Sequence, residues 1–188
     1  MRKSVAFLLA PVALALAVSC AGAPAARGPS ASLVVPDLAE IKAAYGYDFA
    51  LNPYLEPSTT IRGKLTEFVV LRVDLELASP AAVTVDARLV AADGTVIAEM
   101  MDRERMKLFW SFWEGKDSEV AMRLTTIDRS YIPGPVFTAK AGKRSYYIVL
   151  SGKYPFPRPA AIEGILSVAG MDPVMISRAL PELPTKKK

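Results

Sequence analysis

Leu71, Val73, Leu75 and Leu77 are apolar, and Arg72, Asp74 and Glu76 between them are charged. On a helix, successive side chains turn by about 100°, so this pattern would scatter apolar groups around the whole circumference. On a strand it puts them all on one face. Phe68–Leu77 therefore reads as a strand with one wet and one dry side. Ser79-Pro80 breaks it, and Val83, Val85, Ala87 and Leu89 then alternate with Thr84, Asp86 and Arg88. Asp93-Gly94 is a hairpin-type turn signal, followed by the return strand Thr95–Met100. Met106–Trp113 and Glu119–Ile127 read as further strands, and the charge run Asp102-Arg103-Glu104-Arg105, continued by Lys107, reads as a solvated loop where two strand candidates connect. Pro133-Gly134-Pro135 is a turn before the short strand Val136–Ala139, and Ala141-Gly142-Lys143 another before Ser145–Leu150. Pro155, Pro157 and Pro159 lack backbone donors and interrupt the sheet, and Ala161–Ala169 is the last strand. About eight short strands with regular turn signals predict an all-β protein, an antiparallel β-sandwich of immunoglobulin-like or jelly-roll style. A lipocalin-like β-barrel is the alternative. The expected core is Leu71, Val73, Leu75, Val83, Val85, Leu89, Val96, Tyr147, Val149, Leu166 and Val168.

The hydrophobic content of 52% is unevenly spread. Arg2 and Lys3 precede the apolar run Val5–Val18, which is shorter than the roughly 20 residues a spanning helix needs and suits the core of an export signal. Leu16-Ala17-Val18-Ser19-Cys20-Ala21-Gly22 resembles the lipobox of bacterial lipoproteins, in which a small residue precedes the Cys that becomes the mature N-terminus. Ala17 stands where the usual pattern has Leu, Val or Ile, and such relaxed boxes are similar to those of spirochaete lipoproteins. The resemblance implies a thioether-linked diacylglycerol on Cys20, with an acyl chain such as palmitate on its amine. It also implies partnership with a membrane: the outer one in a two-membrane cell, since Ala21 replaces the Asp that signals inner-membrane retention. The alternative is cleavage after Ala25 and a soluble periplasmic or secreted protein. The expected organisation is a signal peptide over 1–19, a lipidated N-terminus and flexible tether over 20–35, and an irregular lead-in over 36–60. A β-domain over 61–171 and a tail over 172–188 complete it. Within the lead-in, Pro36–Tyr45 suits a short helix stopped by Gly46, while Tyr47, Phe49 and Leu51 alternate. Asp172–Leu180 suits a helical turn or two.

The chain has no histidine, and Cys20 is its one cysteine. No intrachain disulfide, Cys/His zinc site, Ser-His-Asp triad or Cys-His pair can be built from it. Neither a Gly-rich phosphate loop nor an Asp-x-Asp-x-Asp calcium loop occurs. No metal, cofactor or enzymatic activity is expected, with carboxylate-only chemistry the one formal route left. The formal charge of +4 includes Arg2 and Lys3 of the export segment and the Lys186-Lys187-Lys188 end. The remainder is nearly balanced, so no nucleic-acid partner is expected. The one dense aromatic cluster is Phe109-Trp110-Ser111-Phe112-Trp113. Read as a strand, it puts Trp110 and Phe112 on one face, and Phe109 and Trp113 on the other. Phe109, Trp110 and Trp113 are the candidate contacts for a glycan, a small ligand or an envelope protein, because exposed rings stack on sugars and dock on partners. The expected role is a non-enzymatic, membrane-anchored lipoprotein acting through binding or assembly. A carbohydrate- or small-ligand-binding module is the alternative.

Overall fold

A computed structural model describes residues 28–45, 53–54, 58–61, 64–112 and 116–180. In chain order the elements are β1 (Ser30–Val34), α1 (Leu38–Tyr45), β2 (Ser58–Ile61), β3 (Lys64–Leu77), β4 (Ala81–Ala91) and β5 (Val96–Met100). There follow α2 (Arg103–Ser111), α3 (Asp117–Ser130), β6 (Val136–Ala139), β7 (Gly142–Lys153), β8 (Ala160–Val168) and β9 (Val174–Ala179). The signal segment, Cys20, the alternation at Tyr47–Leu51, Gly46, Trp113 and the Lys186–Lys188 end lie outside the described residues.

The fold is all-β and antiparallel. The nine strands join in one sheet with the path β1-β3-β7-β5-β4-β8-β9, while β2 pairs with β3 and β6 with β4. The sheet rolls until it is nearly closed, which makes two facing layers out of one continuous path. Each alternating segment supplies the inner face as its period demands. Leu71, Val73, Leu75 and Leu77 are buried on β3, as are Val83, Val85, Ala87 and Leu89 on β4. On β8, Ile162, Leu166 and Val168 lie opposite Leu89, Val85 and Val83, and cross-strand partners share a face. Gly164 stands opposite Ala87 and forms a dent in that inner surface. A Cβ added there would come within 2.9 Å of Leu33 Cδ2 on β1 and 3.0 Å of Ile176 Cγ2 on β9. The two ends of the path thus meet over a residue with no side chain. Arg178 Nη1 also donates to Val35 O across the same seam, at 3.3 Å.

Short β5 turns the corner between layers, with Ala98 opposite Leu89 and Met100 opposite Leu150. At the hairpin before it, Gly94 has φ 85°, a left-handed conformation that a side chain would disfavour. The Thr95 N–H bonds Asp93 Oδ1 at 2.9 Å and holds that carboxyl below its ordinary pKa.

Several expectations need correction. Met106–Trp113 and Glu119–Ile127 are not strands: Met106–Ser111 lies in helix α2 with Phe112 as its C-cap, and Glu119–Ile127 lies in α3. Their buried residues recur at helical spacing, Met106 with Trp110, and Arg123 with Ile127 and Ser130. The charged residues after Asp102 are the first turns of α2, with the Arg105 N–H donating to the Asp102 cap at 2.7 Å. The flexible tether was expected to run to residue 35, but Ser30–Val34 is a strand paired with Arg72–Glu76. The tail was expected to turn helically, but Val174–Ala179 is strand β9, paired with β8. The sheet therefore exceeds residues 61–171 at both ends. The short helix is present as α1, where the Glu40 N–H donates to Asp37 Oδ1 at 2.7 Å. Of the expected core, Val96 is 41% exposed.

Candidate functional site

The two outer faces of the rolled sheet differ. On β3 and β7, Phe68, Val70 and Arg72 lie opposite Ser151, Val149 and Tyr147, so these six share the face turned away from the inner core. Helices α2 and α3 cover much of it. Phe68 meets Phe109 edge-on with centroids 4.9 Å apart, and Trp110 lies 6.4 Å from Phe68. Tyr147 and Val149 are buried as expected, but beneath this helical layer rather than inside the roll. Tyr54 stacks on Tyr147 at 4.6 Å, and its hydroxyl shares a 2.8 Å hydrogen bond with Ser130 at the end of α3.

Within the helical layer, Trp110 has no exposed surface, and the buried Arg123 guanidinium sits 4.1 Å above its ring centroid. Burying a guanidinium is costly, and the negative face of the indole offsets part of that cost. Lys107 pairs with Asp128 at 3.1 Å and ties α2 to α3 at the surface. The layer joins β7 through Tyr131. Its phenol donates to Met101 O at 2.6 Å and accepts from the Val149 N–H at 3.0 Å. Burial pushes its pKa well above the ordinary value.

These positions separate the sequence candidates. Trp110 belongs to the interior and offers no stacking face. Phe109 is half-buried between Phe68 and Trp110. A helix does not pair Trp110 with Phe112, and Phe112 instead stands 39% exposed beside exposed Leu108. Phe109, Phe112 and Leu108 line a groove of about 230 Å³ with Arg105, Thr66 and Ser151. The i, i+4 spacing of Leu108 and Phe112 was readable once the segment is taken as a helix.

No described helix covers the outer face of β4, β5, β6, β8 and β9, and sequence reasoning singled out none of its residues as a site. Thr84, Asp86 and Arg88 point outward there, and Arg88 Nη2 meets Glu163 Oε2 at 3.0 Å. Ile165 and Met175, opposite each other on β8 and β9, are 47% and 77% exposed. Val136 on β6 is 68% exposed and lies opposite Thr84. A groove of about 650 Å³ runs past Asp86, Glu163, Ile165 and Met175. A second, of about 490 Å³, opens where β5 and β6 diverge along β4, past Asp86, Val96, Glu99 and Asp102.

Glu67 is buried on β3, where Arg158 Nη2 donates to it at 2.6 Å and the Phe156 N–H at 2.7 Å. This network holds the proline-rich turn 154–159 against the sheet. It has a structural use and faces neither groove on the bare face. Among the described residues no group of carboxylates, His or Cys is arranged to hold a metal ion. No described helix is long and apolar enough to cross a membrane. No protein-family model matches the chain, and no curated protein matches it.

Proposed function

We propose that this chain is an exported envelope protein, held to a membrane by lipid on Cys20, that works by binding or assembly rather than by catalysis. The supporting observation is the relation of the thiol to the fold. The apolar run Val5–Val18 stops just before Cys20, and β1 begins at Ser30, leaving residues 21–29 as the link. An extended link of that length reaches roughly 30 Å, enough to hold the domain clear of the headgroups. Two or more acyl chains on one residue give a stable anchor, at about 0.8 kcal/mol per buried methylene. The outer membrane is the proposed site in a two-membrane cell.

The test is intact-mass analysis of the mature protein from membranes, beside a Cys20→Ser variant. A chain beginning at Cys20 with diacylglycerol and an added acyl mass is expected, and the variant should leave the membrane fraction. A mature chain beginning at Ala26 with no lipid mass overturns the anchor.

A second reading, a carbohydrate- or small-ligand-binding module, is favoured by the groove beside Phe109 and Phe112. Its aromatic platform is Phe112 rather than Trp110. A glycan panel against the protein and a Phe112→Ala variant tests it: binding lost in the variant supports it, and no binding to the panel removes it.

A further inference from the structure

Among the described residues one outer face of the sheet is roofed by helices and the other is bare, and the bare one breaks the polar pattern of a solvent-facing sheet. Of the seven large apolar side chains that stand exposed among the described residues, Val96, Val136, Ile165 and Met175 belong to it. Ile165 and Met175 are direct cross-strand neighbours, so their apolar surface is contiguous. The charge of the face is equally uneven. Four carboxylates, Asp86, Glu99, Asp102 and Glu163, line its two grooves against one guanidinium, Arg88, in a chain whose net charge is +4.

That charge selects the occupant. A second copy on the same face would set carboxylates against carboxylates, and an anionic lipid surface would be repelled. We infer that the bare face of β4, β5, β8 and β9 docks a polypeptide segment of a partner in which apolar side chains alternate with lysines or arginines. The apolar groups cover Ile165 and Met175, and the cations reach Asp86, Glu99 and Glu163. This docking does not depend on the anchor at Cys20. Binding is read in solution and lipidation by mass, so each can fail alone.

The experiment uses purified full-length protein and two fluorescent synthetic peptides, one alternating lysine with valine and one alternating glutamate with valine. Anisotropy at low salt should show the lysine peptide binding at least about tenfold more tightly, a difference of roughly 1.4 kcal/mol. That advantage should shrink at high salt. Asp86→Lys with Glu99→Lys should reverse the preference. Ile165→Asp with Met175→Asp should weaken the lysine peptide despite the added negative charge, which separates apolar docking from charge alone. All four positions are exposed, and an unchanged melting temperature confirms that the variants fold. Equal binding of the two peptides, or indifference to the charge reversal, overturns it. In cells, a photo-crosslinker at position 175 should join a peptide of another protein rich in lysine or arginine, and adducts only to lipid or to a second copy also overturn it.

Discussion

Replacing Tyr131 with Phe removes one oxygen from the point where the helical layer meets the sheet. The ring is fully buried, so the loss of the hydroxyl leaves two backbone groups without their partner. Met101 O loses a 2.6 Å donor, and the Val149 N–H loses a 3.0 Å acceptor. A buried polar group left unsatisfied costs about 1–3 kcal/mol, so two such groups give a destabilisation of roughly 2–4 kcal/mol after some relaxation. Domains of this size are stable by about 5–15 kcal/mol, so the variant folds but with a visibly lower midpoint. Urea denaturation followed by circular dichroism measures the change, and the slope should match that of the parent because the buried area hardly differs. Tyr146→Phe is the control. That hydroxyl makes no hydrogen bond with the described residues, and its removal should change stability by less than about 0.5 kcal/mol. If Tyr131→Phe behaves like the control, the phenol does not secure this seam and the account of the helix–sheet junction is wrong.

The same residue gives a pH dependence with a definite sign. Burial raises the folded-state pKa of Tyr131 above the ordinary value near 10. The unfolded chain therefore releases this proton first as pH rises, while the folded chain keeps it. The contribution of the neutral phenol is fully present below about pH 10 and is lost progressively above it. The parent should lose stability more steeply than Tyr131→Phe above that pH, and parallel curves would contradict the assignment.

Three further substitutions probe other parts of the fold. Arg158→Ala leaves Glu67 buried without its 2.6 Å partner and should cost about 3–5 kcal/mol, with faster hydrogen exchange at the Phe156 amide; an unchanged exchange rate would show that the pair does not hold turn 154–159. Gly164→Ala forces Leu33 and Ile176 to shift and should cost about 1–3 kcal/mol, and Leu33→Ala in the same chain should recover part of it; strict additivity would mean that β1 does not seat on this dent. In a Trp113→Phe chain, the remaining indole, Trp110, should emit at short wavelength and resist acrylamide, whereas easy quenching would contradict its burial beneath Arg123.

The strands that could be read directly were those with one wet side. Leu71–Leu77 and Val83–Leu89 carry polar or charged residues at every second position, and the structure buries the apolar residues between them. Period two fails where both faces are covered. Tyr147, Ile148, Val149 and Leu150 are all buried, because the roll takes Ile148 and Leu150 and the helical layer takes Tyr147 and Val149. The edge strands β1 and β9 are short: β1 pairs with Arg72–Glu76, about forty residues along the chain, and β9 folds back on the neighbouring β8. No local pattern announces them, since pairing rather than propensity makes them strands.

The two misread segments share one physical cause. Phe109–Trp113 has the aromatic density of a strand, and Glu119–Ile127 carries an arginine at a position the core occupies. A helical reading of the second segment requires Val120, Arg123, Leu124 and Ile127 to form one face, and a charge in the middle of that face argues against burial. The structure removes the objection with a partner from the first segment, the Trp110 ring stacked against the guanidinium. Neither helix therefore explains its own sequence. Trp110 and Arg123 become intelligible only as a pair, and the pair forms only when α2 and α3 lie side by side on β3 and β7. Once that layer is in place, the described helices cover one outer face of the sheet and leave the other open. Trp110 and much of Phe109, which as a sequence most resembled a binding site, form the underside of a roof, and the face we propose for a partner is that of β4, β5, β8 and β9, where the exposed apolar residues are aliphatic and set among carboxylates.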